Sequence, residues 1–407
     1  MLGVNYAPEP TGIAPYTATM CRGLVARGHH VEVVTAFPHY PQWQLQPGDR
    51  RTLTRRDVRD GLGVTRVRHY VPARPTGIPR ALSEISFGAR LVTRSWGRPD
   101  VVICLSPALL ATAMAAARTK SLGSGPALGI VVQDLYSAGV GETGSGGSVL
   151  ARIFGRLEST VLGRADGVAV IHDRFKHTVV NRLGADAGRV AVIRNWTHVK
   201  PVQDFDKPAF RARMGWRTDE TVVLHAGAMG EKQDLSNVVA AAQLSQSRSL
   251  PLRFVLMGDG GQRVSLERQG AGVSAIEVIP PLPDEDFGRA LRAADVLLVN
   301  ERPGLNEMAV PSKLTSYFSS GTAVLAATEA TSTTAEELAA AGAGLRVGPG
   351  DPGALVSGVL TLRNDPLTLD ELGRRGPDYC ARVLSEEVAL DAYDDWVRLL
   401  HRRKQEC

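Results

Sequence analysis

Residues 221–233 read Thr-Val-Val-Leu-His-Ala-Gly-Ala-Met-Gly-Glu-Lys-Gln, and the fold is best argued outward from them. The apolar, β-branched run Thr221–His225 predicts a short buried strand. Gly227 and Gly230 follow at once and free the backbone to fold around a phosphate, while Lys232 supplies a mobile positive charge. The full P-loop spacing is absent, which argues against an ATPase. The alternative is a surface lysine in an ordinary turn.

A second glycine turn follows the next predicted strand, Phe254–Met257. Gly258 and Gly260 lie in Met257-Gly258-Asp259-Gly260-Gly261, where a turn at the strand's carboxyl end can pass under a ring or ribose. The same letters also describe a plain turn, which remains the alternative.

A third turn begins a helix after the predicted strand Val296–Asn300. It reads Val310-Pro311-Ser312-Lys313-Leu314, and Pro and Ser at these positions mark a helix N-terminus. The unpaired N–H groups and the helix dipole suit a diphosphate, which Lys313 can neutralise. Three such turns after strands of one domain predict a phosphate-bearing ligand there.

Short strands also alternate with helices in the N-terminal half, which predicts a parallel α/β architecture throughout. After a first strand at Leu2–Asn5, Gly12 lies in a strand-to-helix turn that lets backbone approach a ligand. The turn is not a G-x-G-x-x-G fingerprint, which argues against a nicotinamide site. Asp134 follows the strand Leu128–Val132, where a carboxylate can orient or deprotonate a hydroxyl. A plain βα loop and a helix cap are the respective alternatives.

The domain organisation follows from length and from one lapse in the pattern. At about 150 residues per domain, 407 residues predict two to three domains. The alternation lapses at Asn195–Lys207, so we predict a linker there, an N-terminal domain at 1–198 and a C-terminal domain at 199–380. Two successive doubly wound sheets predict a cleft between domains, with ligands at the carboxyl ends of strands.

Charge is unevenly distributed along a chain whose net charge is +5. From Arg50 to Arg98 there are twelve arginines against three acidic residues. Such a region attracts phosphates or anionic lipid, or is simply a solvated face. Nucleic acid is not expected, because no nucleic-acid-binding motif is present.

Cysteines and hydropathy bear on the compartment. The cysteines lie far apart, without a C-x-x-C pair, which argues against a zinc site and a disulfide framework and fits a reducing cytoplasm. They are Cys21, Cys104, Cys380 and Cys407. No stretch reaches the roughly 18 apolar residues of a membrane span, so any membrane contact is expected to be peripheral. The start, Met1–Tyr6, reads like the tail of a strand, so the true start is expected a few residues earlier.

Taken together, these strings resemble the retaining glycosyltransferases of family 4, which have the GT-B fold, and within them the group typified by the colanic-acid fucosyltransferase. The resemblance covers nearly the whole chain. The matching segments are Asn5–Gly12, Thr35–Pro41, Gln133–Leu135, Gly227–Gln233 and Pro311–Leu314.

The resemblance implies a nucleotide-diphosphate sugar as the donor substrate, a hydroxyl acceptor, and no metal or other cofactor. It implies that Gly12 approaches the donor, that Lys232 contacts the diphosphate, and that the helix start at Pro311–Leu314 binds phosphate through its amides. It also implies that the turn at Gly258–Gly261 and the segment around Leu282 flank the nucleoside. The terminal helix, within 381–407, is expected to cross back to the first domain.

The chain departs from the family pattern where many members carry E-x7-E before the phosphate-binding helix. Met308 and Ser316 stand at the two glutamate positions. Two other readings therefore stay open. One is a sugar-nucleotide epimerase on the same fold, and the other is a non-catalytic partner in a glycosylation complex. The donor sugar, the base and the acceptor are not specified by the sequence.

Overall fold

The computed structural model of the protein describes residues 1–9, 12–59, 61–121, 125–135, 148–197, 202, 204–305 and 312–406. The chain forms two compact units. The first comprises Met1–Asn195 together with Glu387–Cys407, and the second comprises Trp196–Glu386.

Both units alternate strands and helices. The strands are β1 (Glu32–Ala36), β2 (Thr54–Arg59), β3 (Leu62–Val67), β4 (Val101–Ser106), β5 (Ala127–Val132), β6 (Gly167–Val170), β7 (Val190–Val192), β8 (Thr221–Ala228), β9 (Leu252–Asp259), β10 (Ile276–Ile279), β11 (Val296–Asn300), β12 (Val324–Ala327) and β13 (Gly344–Val347). The helices are α1 (Ala14–Ala26), α2 (Gly77–Val92), α3 (Leu109–Ser121), α4 (Ser148–Gly163), α5 (Asp173–Asn181), α6 (Lys207–Arg213), α7 (Ser236–Ser247), α8 (Arg263–Gln269), α9 (Asp284–Ala293), α10 (Ser312–Ser320), α11 (Thr333–Ala341), α12 (Pro352–Asn364), α13 (Pro366–Val383) and α14 (Glu386–Gln405).

The first unit is built on two sheets that the chain start joins. One has the order β1-β3-β2 and the other β4-β5-β6-β7. Leu2 forms parallel bridges to Val34 of β1 and to Cys104 of β4. Its N–H donates to the carbonyl of Ile103 at 2.8 Å, and its own carbonyl accepts from Leu105 at 3.0 Å. The predicted first strand therefore lies between β1 and β4, reduced to a single bridging residue.

The terminal helix α14 packs on the sheet of this same unit, at two positions where the strands carry glycine. A Cβ at Gly129 of β5 would lie 2.7 Å from Trp396, and one at Gly167 of β6 would lie 2.7 Å from Leu400. Both α14 side chains are almost fully buried, which stabilises the docked helix by about 1.5–3 kcal/mol per side chain. The chain thus returns to its first unit, as the GT-B pattern requires.

The second unit has one sheet of order β10-β9-β8-β11-β12-β13 in which every pairing is parallel. Successive side chains of β8 lie on opposite faces of the sheet. Leu224 packs in one core cluster and Val223 in the other, as the two-residue period of a strand dictates. The strand order reverses between β8 and β11. In doubly wound sheets, ligands bind at the carboxyl ends of the strands at this switch point.

Five elements lie where the sequence pattern predicted none: β2, β13, α6, α8 and α13. β2 pairs antiparallel with β3 at the edge of its sheet and carries three arginines, which hide the strand pattern. α13 contains Pro377 and two glycines. A Cβ at Gly376 would lie 2.6 Å from the carbonyl oxygen of Phe318. Glycine therefore lets this helix approach α10 closely, although glycine and proline in the sequence argue locally against a helix. No helix among the described residues combines the length and apolar character needed to cross a membrane.

Candidate donor site at the switch point

The end of β8 lies tightly against the end of β9. Gly227 pairs with Gly258 and Ala228 pairs with Asp259. Gly258 has φ 153°, and a Cβ there would lie 1.9 Å from the carbonyl oxygen of Gly227. Only glycine fits this backbone conformation and this approach. Two of the predicted site glycines therefore adjoin each other, and Gly258 belongs to β9 itself, so the predicted turn starts later than expected.

The turn after β8 is held against the turn after β9 by backbone hydrogen bonds. The N–H of Met229 donates to the carbonyl of Asp259 at 2.8 Å, and the carbonyl of Met229 accepts from Gln262 at 3.0 Å. A Cβ at Gly260 would lie 2.5 Å from that same Met229 carbonyl oxygen. The N–H of Gly230 donates to the side-chain oxygen of Gln233 at 3.0 Å. The two glycine turns thus form one ordered surface.

Asn300, the last residue of β11, ties the same loop to the neighbouring strand. Its side-chain N–H groups donate to the carbonyls of Gln233 at 2.8 Å and Asp234 at 3.0 Å. The N–H of Arg302 donates to the carbonyl of Lys232 at 2.9 Å. The backbone of Lys232 therefore lies at the switch point between β8 and β11, with an exposed side chain. Asn300 was not predicted as a site residue.

Lys313, in the first turn of α10, reaches the end of β8. Its Nζ lies 3.3 Å from Nε2 of His225, and a Cβ at Gly227 would lie 3.8 Å from that Nζ. One turn further on, the Tyr317 hydroxyl accepts from the N–H of Ala226 at 2.7 Å. Positions four residues apart share a helix face, so Tyr317 anchors the face that carries Lys313. Lys313 thus reaches the last residues of β8, and Lys232 lies on the loop that follows this strand.

His225 is a functional candidate that the sequence analysis missed. The side chain is fully buried, and this burial, followed by the charge of Lys313, holds the pKa of His225 well below its usual range. Nε2 of His225 lies within hydrogen-bonding distance of two groups, Nζ of Lys313 at 3.3 Å and the carbonyl oxygen of Ala228 at 3.4 Å. The sequence signal that could have identified His225 is a polar residue inside an otherwise apolar strand, two positions before a glycine.

Four other predicted residues belong to the second unit, and the structure describes three of them. Leu314 is completely buried, so its side chain is not available to a ligand. Leu282 follows β10 and packs, half-buried, against the core. Ser312 opens α10, and Pro311 lies outside the described residues.

Two predicted residues belong to the first unit. Gly12 is exposed just before α1, with φ 68°. Asp134 is exposed just after β5. Beside it, Gln133 and Asn195 exchange two amide hydrogen bonds of 3.2 and 2.8 Å. This reciprocal pair fixes both side chains at the carboxyl end of β5, and the role of Asn195 was not foreseen.

The described residues hold no group of three or more His, Cys, Asp or Glu side chains arranged to bind a metal ion. The expectation that the protein works without a metal stays a prediction. Lys232 and Lys313 are the lysines at the switch point, and the acidic residues Glu231, Asp234 and Asp259 lie on the same turns. The two ammonium groups can attract and stabilise an anion.

Comparisons with known proteins identify the family of the chain. The family model of the glycosyl transferase 4-like domain matches residues 11–196, and that of the glycosyl transferases group 1 matches residues 220–365. The colanic acid biosynthesis glycosyl transferase WcaI of Escherichia coli (strain K12) is 30% identical over 411 residues, covering 97% of this chain and 98% of that protein.

Solved structures show the same fold at low sequence identity. Sucrose-phosphate synthase from Thermosynechococcus elongatus superposes with a TM-score of 0.70 at 18% identity, covering 98% of both chains. HepE of Anabaena, in complex with UDP, superposes with a TM-score of 0.69 at 14% identity, covering 97% of this chain and 98% of that one. The expectation of two Rossmann-like domains and of the GT-B fold class is confirmed.

Proposed function

The chain belongs to glycosyltransferase family 4, and we propose that it moves a hexose-type sugar from a nucleotide-diphosphate donor to a hydroxyl acceptor with retention of anomeric configuration. That it is a glycosyltransferase follows from the family. The donor class, the stereochemistry and the acceptor are the proposal.

One observation carries the proposal: the Lys313 ammonium lies beside Gly227 at the end of β8, at the first turn of α10. When the bond from sugar to diphosphate breaks, negative charge grows on the leaving phosphate oxygens. A fixed ammonium and the free N–H groups of a helix N-terminus stabilise such charge without reorganising. Lys232, on the loop beside it, supplies a second cation. Proton transfer is not needed at this leaving group.

Names of similar proteins support the donor class and the acceptor class. HepE of Anabaena has been solved in complexes with UDP and with UDP-glucose, and WcaI is named for colanic acid biosynthesis. By analogy, this protein uses a sugar nucleotide and extends a saccharide acceptor. Gly12 approaches the donor, Leu282 flanks the nucleoside, and Asp134 orients the acceptor hydroxyl. Transfer proceeds without a metal, so activity persists in EDTA.

Binding of a nucleoside diphosphate panel (UDP, GDP, ADP and dTDP), measured by calorimetric titration, tests the cation site. Lys313→Met is expected to weaken the tightest binder about 10- to 100-fold, the equivalent of one charge-assisted hydrogen bond. Lys207→Met is the matched control, since Lys207 is a cation of the same unit that lines a cavity beside Thr221, at the opposite end of β8. Equal affinities for both variants and the unchanged protein would remove the basis of the proposal.

Turnover separates the remaining readings. The protein is incubated with an acceptor panel and with the sugar nucleotides of the tightest-binding nucleotide, and the anomeric signals are followed by NMR. We expect an α-donor to give an α-product. An altered donor sugar formed without any acceptor would instead identify an epimerase. Donor affinity with no product across the panel would identify a non-catalytic partner.

A further inference from the structure

Two partly exposed aromatic rings lie on the loop after β1, close to the turn that holds Gly12. The ring centroids of Tyr40 and Trp43 are 6.4 Å apart, and the ring planes meet at 82°. Both side chains are neither buried nor fully exposed. A Cβ at Gly12 would lie 3.5 Å from the Tyr40 ring, so this ring borders the exposed Gly12 turn. We call Tyr40 and Trp43 together the aromatic platform.

A buried carboxylate fixes the backbone that carries the aromatic platform. The side chain of Glu9 is 2% exposed. Its Oε1 accepts the N–H of His39 at 2.9 Å and the N–H of Tyr40 at 3.0 Å, and its Oε2 accepts from the side-chain amide of Asn5 at 2.8 Å. Burial of a carboxylate is costly unless hydrogen bonds compensate it. These three hydrogen bonds therefore make Glu9 a fixed anchor for the loop.

A buried histidine supports Trp43. The His39 side chain is 2% exposed, and its Nδ1 lies 3.0 Å from the carbonyl oxygen of Phe37. The ring centroids of His39 and Trp43 are 5.4 Å apart, with the planes at 74°. The His39 ring also lies 4.9 Å from the ring of His69, which is buried as well. Trp43 is thus held against rings that belong to the core of the first unit.

The backbone of Trp43 is in a conformation that bulky residues rarely adopt. Its φ is 52°, in the left-handed region that favours glycine. The N–H of Gln44 donates to the carbonyl of His39 at 3.1 Å and closes this turn. Strained residues of this kind are concentrated at ligand-binding sites. Glycine would form the same turn with less strain, so the presence of tryptophan indicates a use for its ring.

A cation lies over the Trp43 ring. The guanidinium carbon of Arg80 is 5.3 Å from the ring centroid, and Nε of Arg80 donates to Glu84 at 3.3 Å. The aromatic platform therefore combines apolar ring surface with guanidinium N–H groups and a phenol hydroxyl. A pyranose ring matches this combination, because its C–H groups pack on aromatic rings and its hydroxyls accept and donate hydrogen bonds.

We propose that the aromatic platform holds the pyranose ring of the acceptor saccharide. The slightly positive C–H groups of one sugar face pack against the electron-rich aromatic faces, and Arg80 donates to the sugar hydroxyls. Leu2 bridges β1 and β4 in parallel, and β4 pairs parallel with β5. The loops after β1 and β5 therefore leave the same edge of the first unit, which places the aromatic platform on the edge that carries Asp134. The inference rests on the proposed function and adds to it the residues that select the acceptor.

Saturation-transfer NMR of the full-length protein tests the proposal. The probes are the methyl pyranosides of glucose, galactose, mannose and N-acetylglucosamine, each measured with the nucleoside diphosphate that binds tightest among UDP, GDP, ADP and dTDP. At least one methyl pyranoside is expected to bind, with the strongest saturation on the protons of one ring face. Trp43→Ala is expected to weaken its binding at least about tenfold. Trp43→Phe, which keeps a smaller ring, should weaken it less.

The matched control is Trp96→Ala. Trp96 is also a partly exposed tryptophan of the first unit, and Arg118 lies over its ring at 3.9 Å. It precedes β4, however, whereas Trp43 follows β1. Trp96→Ala should therefore bind the methyl pyranoside like the unchanged protein. Melting temperatures of all three variants check that the first unit is folded, and Trp43→Phe serves if Trp43→Ala does not fold.

Steady-state kinetics with a methyl pyranoside that is glycosylated give a second readout. Trp43→Ala is expected to raise KM for this acceptor about tenfold and to leave KM for the sugar nucleotide unchanged. A residue that served the fold alone would lower the melting temperature and change both KM values together.

Three outcomes would overturn the proposal. They are no binding of any methyl pyranoside to the unchanged protein, equal binding by Trp43→Ala and Trp96→Ala, and weaker nucleotide binding in Trp43→Ala with sugar binding unchanged. The third outcome would assign the Trp43 ring to the nucleobase. Nucleoside diphosphate binding by the unchanged protein tests the proposed function separately, so failure of the aromatic platform leaves the proposed sugar transfer standing.

Discussion

Replacing Gly258 with alanine is expected to disable the donor site, because the new Cβ has no room. An ideal Cβ at Gly258 lies 1.9 Å from the carbonyl oxygen of Gly227, whereas nonbonded carbon and oxygen atoms settle at about 3.3 Å. The ends of β8 and β9 therefore have to separate by roughly 1.4 Å, the difference between these two distances. The φ of 153° at Gly258 adds backbone strain of about 1–3 kcal/mol for a residue with a Cβ.

The displacement moves the backbone of the proposed diphosphate site. Gly227 adjoins the Lys313 ammonium, and the loop that follows it leads to Lys232. A misplacement of about 1 Å in a preorganised site lowers turnover roughly 100-fold. We therefore expect Gly258→Ala to lower kcat/KM about 100-fold and the free energy of unfolding of the second unit by about 1–3 kcal/mol.

The matched control lies in the same unit, directly after the edge strand β13. A Cβ at Gly348 meets no heavy atom within 4 Å, and its φ is not in the positive region. Gly348→Ala should therefore leave kcat/KM, affinity for the nucleoside diphosphate panel and the urea unfolding midpoint unchanged. If Gly258→Ala unfolds the unit, Gly260→Ala, with its Cβ 2.5 Å from the Met229 carbonyl oxygen, provides a milder version of the same clash. Equal kcat/KM for Gly258→Ala and Gly348→Ala would refute the reasoning.

Three further predictions follow from buried polar groups. Tyr317→Phe leaves the N–H of Ala226 without its acceptor and should lower the free energy of urea unfolding by about 1–3 kcal/mol; a change below about 0.5 kcal/mol would contradict this hydrogen bond. Burial, and then a neighbouring histidine, lowers the pKa of His69 to about 3, so below pH 6.5 the unfolded chain takes up a proton that the folded chain refuses. As the pH falls below 6.5, the free energy of unfolding should decrease by about 1.4 kcal/mol per pH unit because of this residue alone. In His69→Phe, unfolding measured at several pH values should lack this part of the pH dependence; the same pH dependence in both proteins would contradict the prediction. Asn300→Ala frees the loop carbonyls that Asn300 holds and should weaken binding of the nucleoside diphosphate panel about tenfold in calorimetric titration, whereas unchanged affinity would show that the loop holds its shape without this side chain.

The strands that build the donor site were predictable because they are buried on both faces. β11 was predicted with its observed bounds, and β8 was predicted at its start but three residues short at its end. A continuous apolar run of four to eight residues that is rich in β-branched side chains indicates a buried strand by its short length. The glycines that end them were expected to serve a ligand. The structure gives a second reason for glycine at these positions: Gly227 and Gly258 allow the ends of two strands to approach each other closely.

The contacts that complete the site were beyond the reach of the sequence. His225 and Lys313 are 88 positions apart, and their meeting depends on β11 lying next to β8, which local patterns do not encode. Asn300 looked like the last residue of a strand and nothing more. β2, with arginines at three of its six positions, and α13, with an internal proline, hold their conformation through tertiary packing that overrides local preference.

The pairing of Lys313 with a neutral histidine has a consequence for how the donor site responds to pH. Were His225 protonated, two positive charges 3.3 Å apart would repel each other by about 5 kcal/mol at an effective dielectric constant near 20. Burial prevents this by holding the pKa of His225 well below its usual range, so the cation count at the end of β8 stays constant through neutral pH. Affinity for a sugar nucleotide, whose diphosphate does not titrate there, should then be flat between about pH 6 and 8. A tenfold change in affinity over that interval, lost in His225→Asn, would show that the imidazole does charge and that Lys313 is not held as the structure indicates.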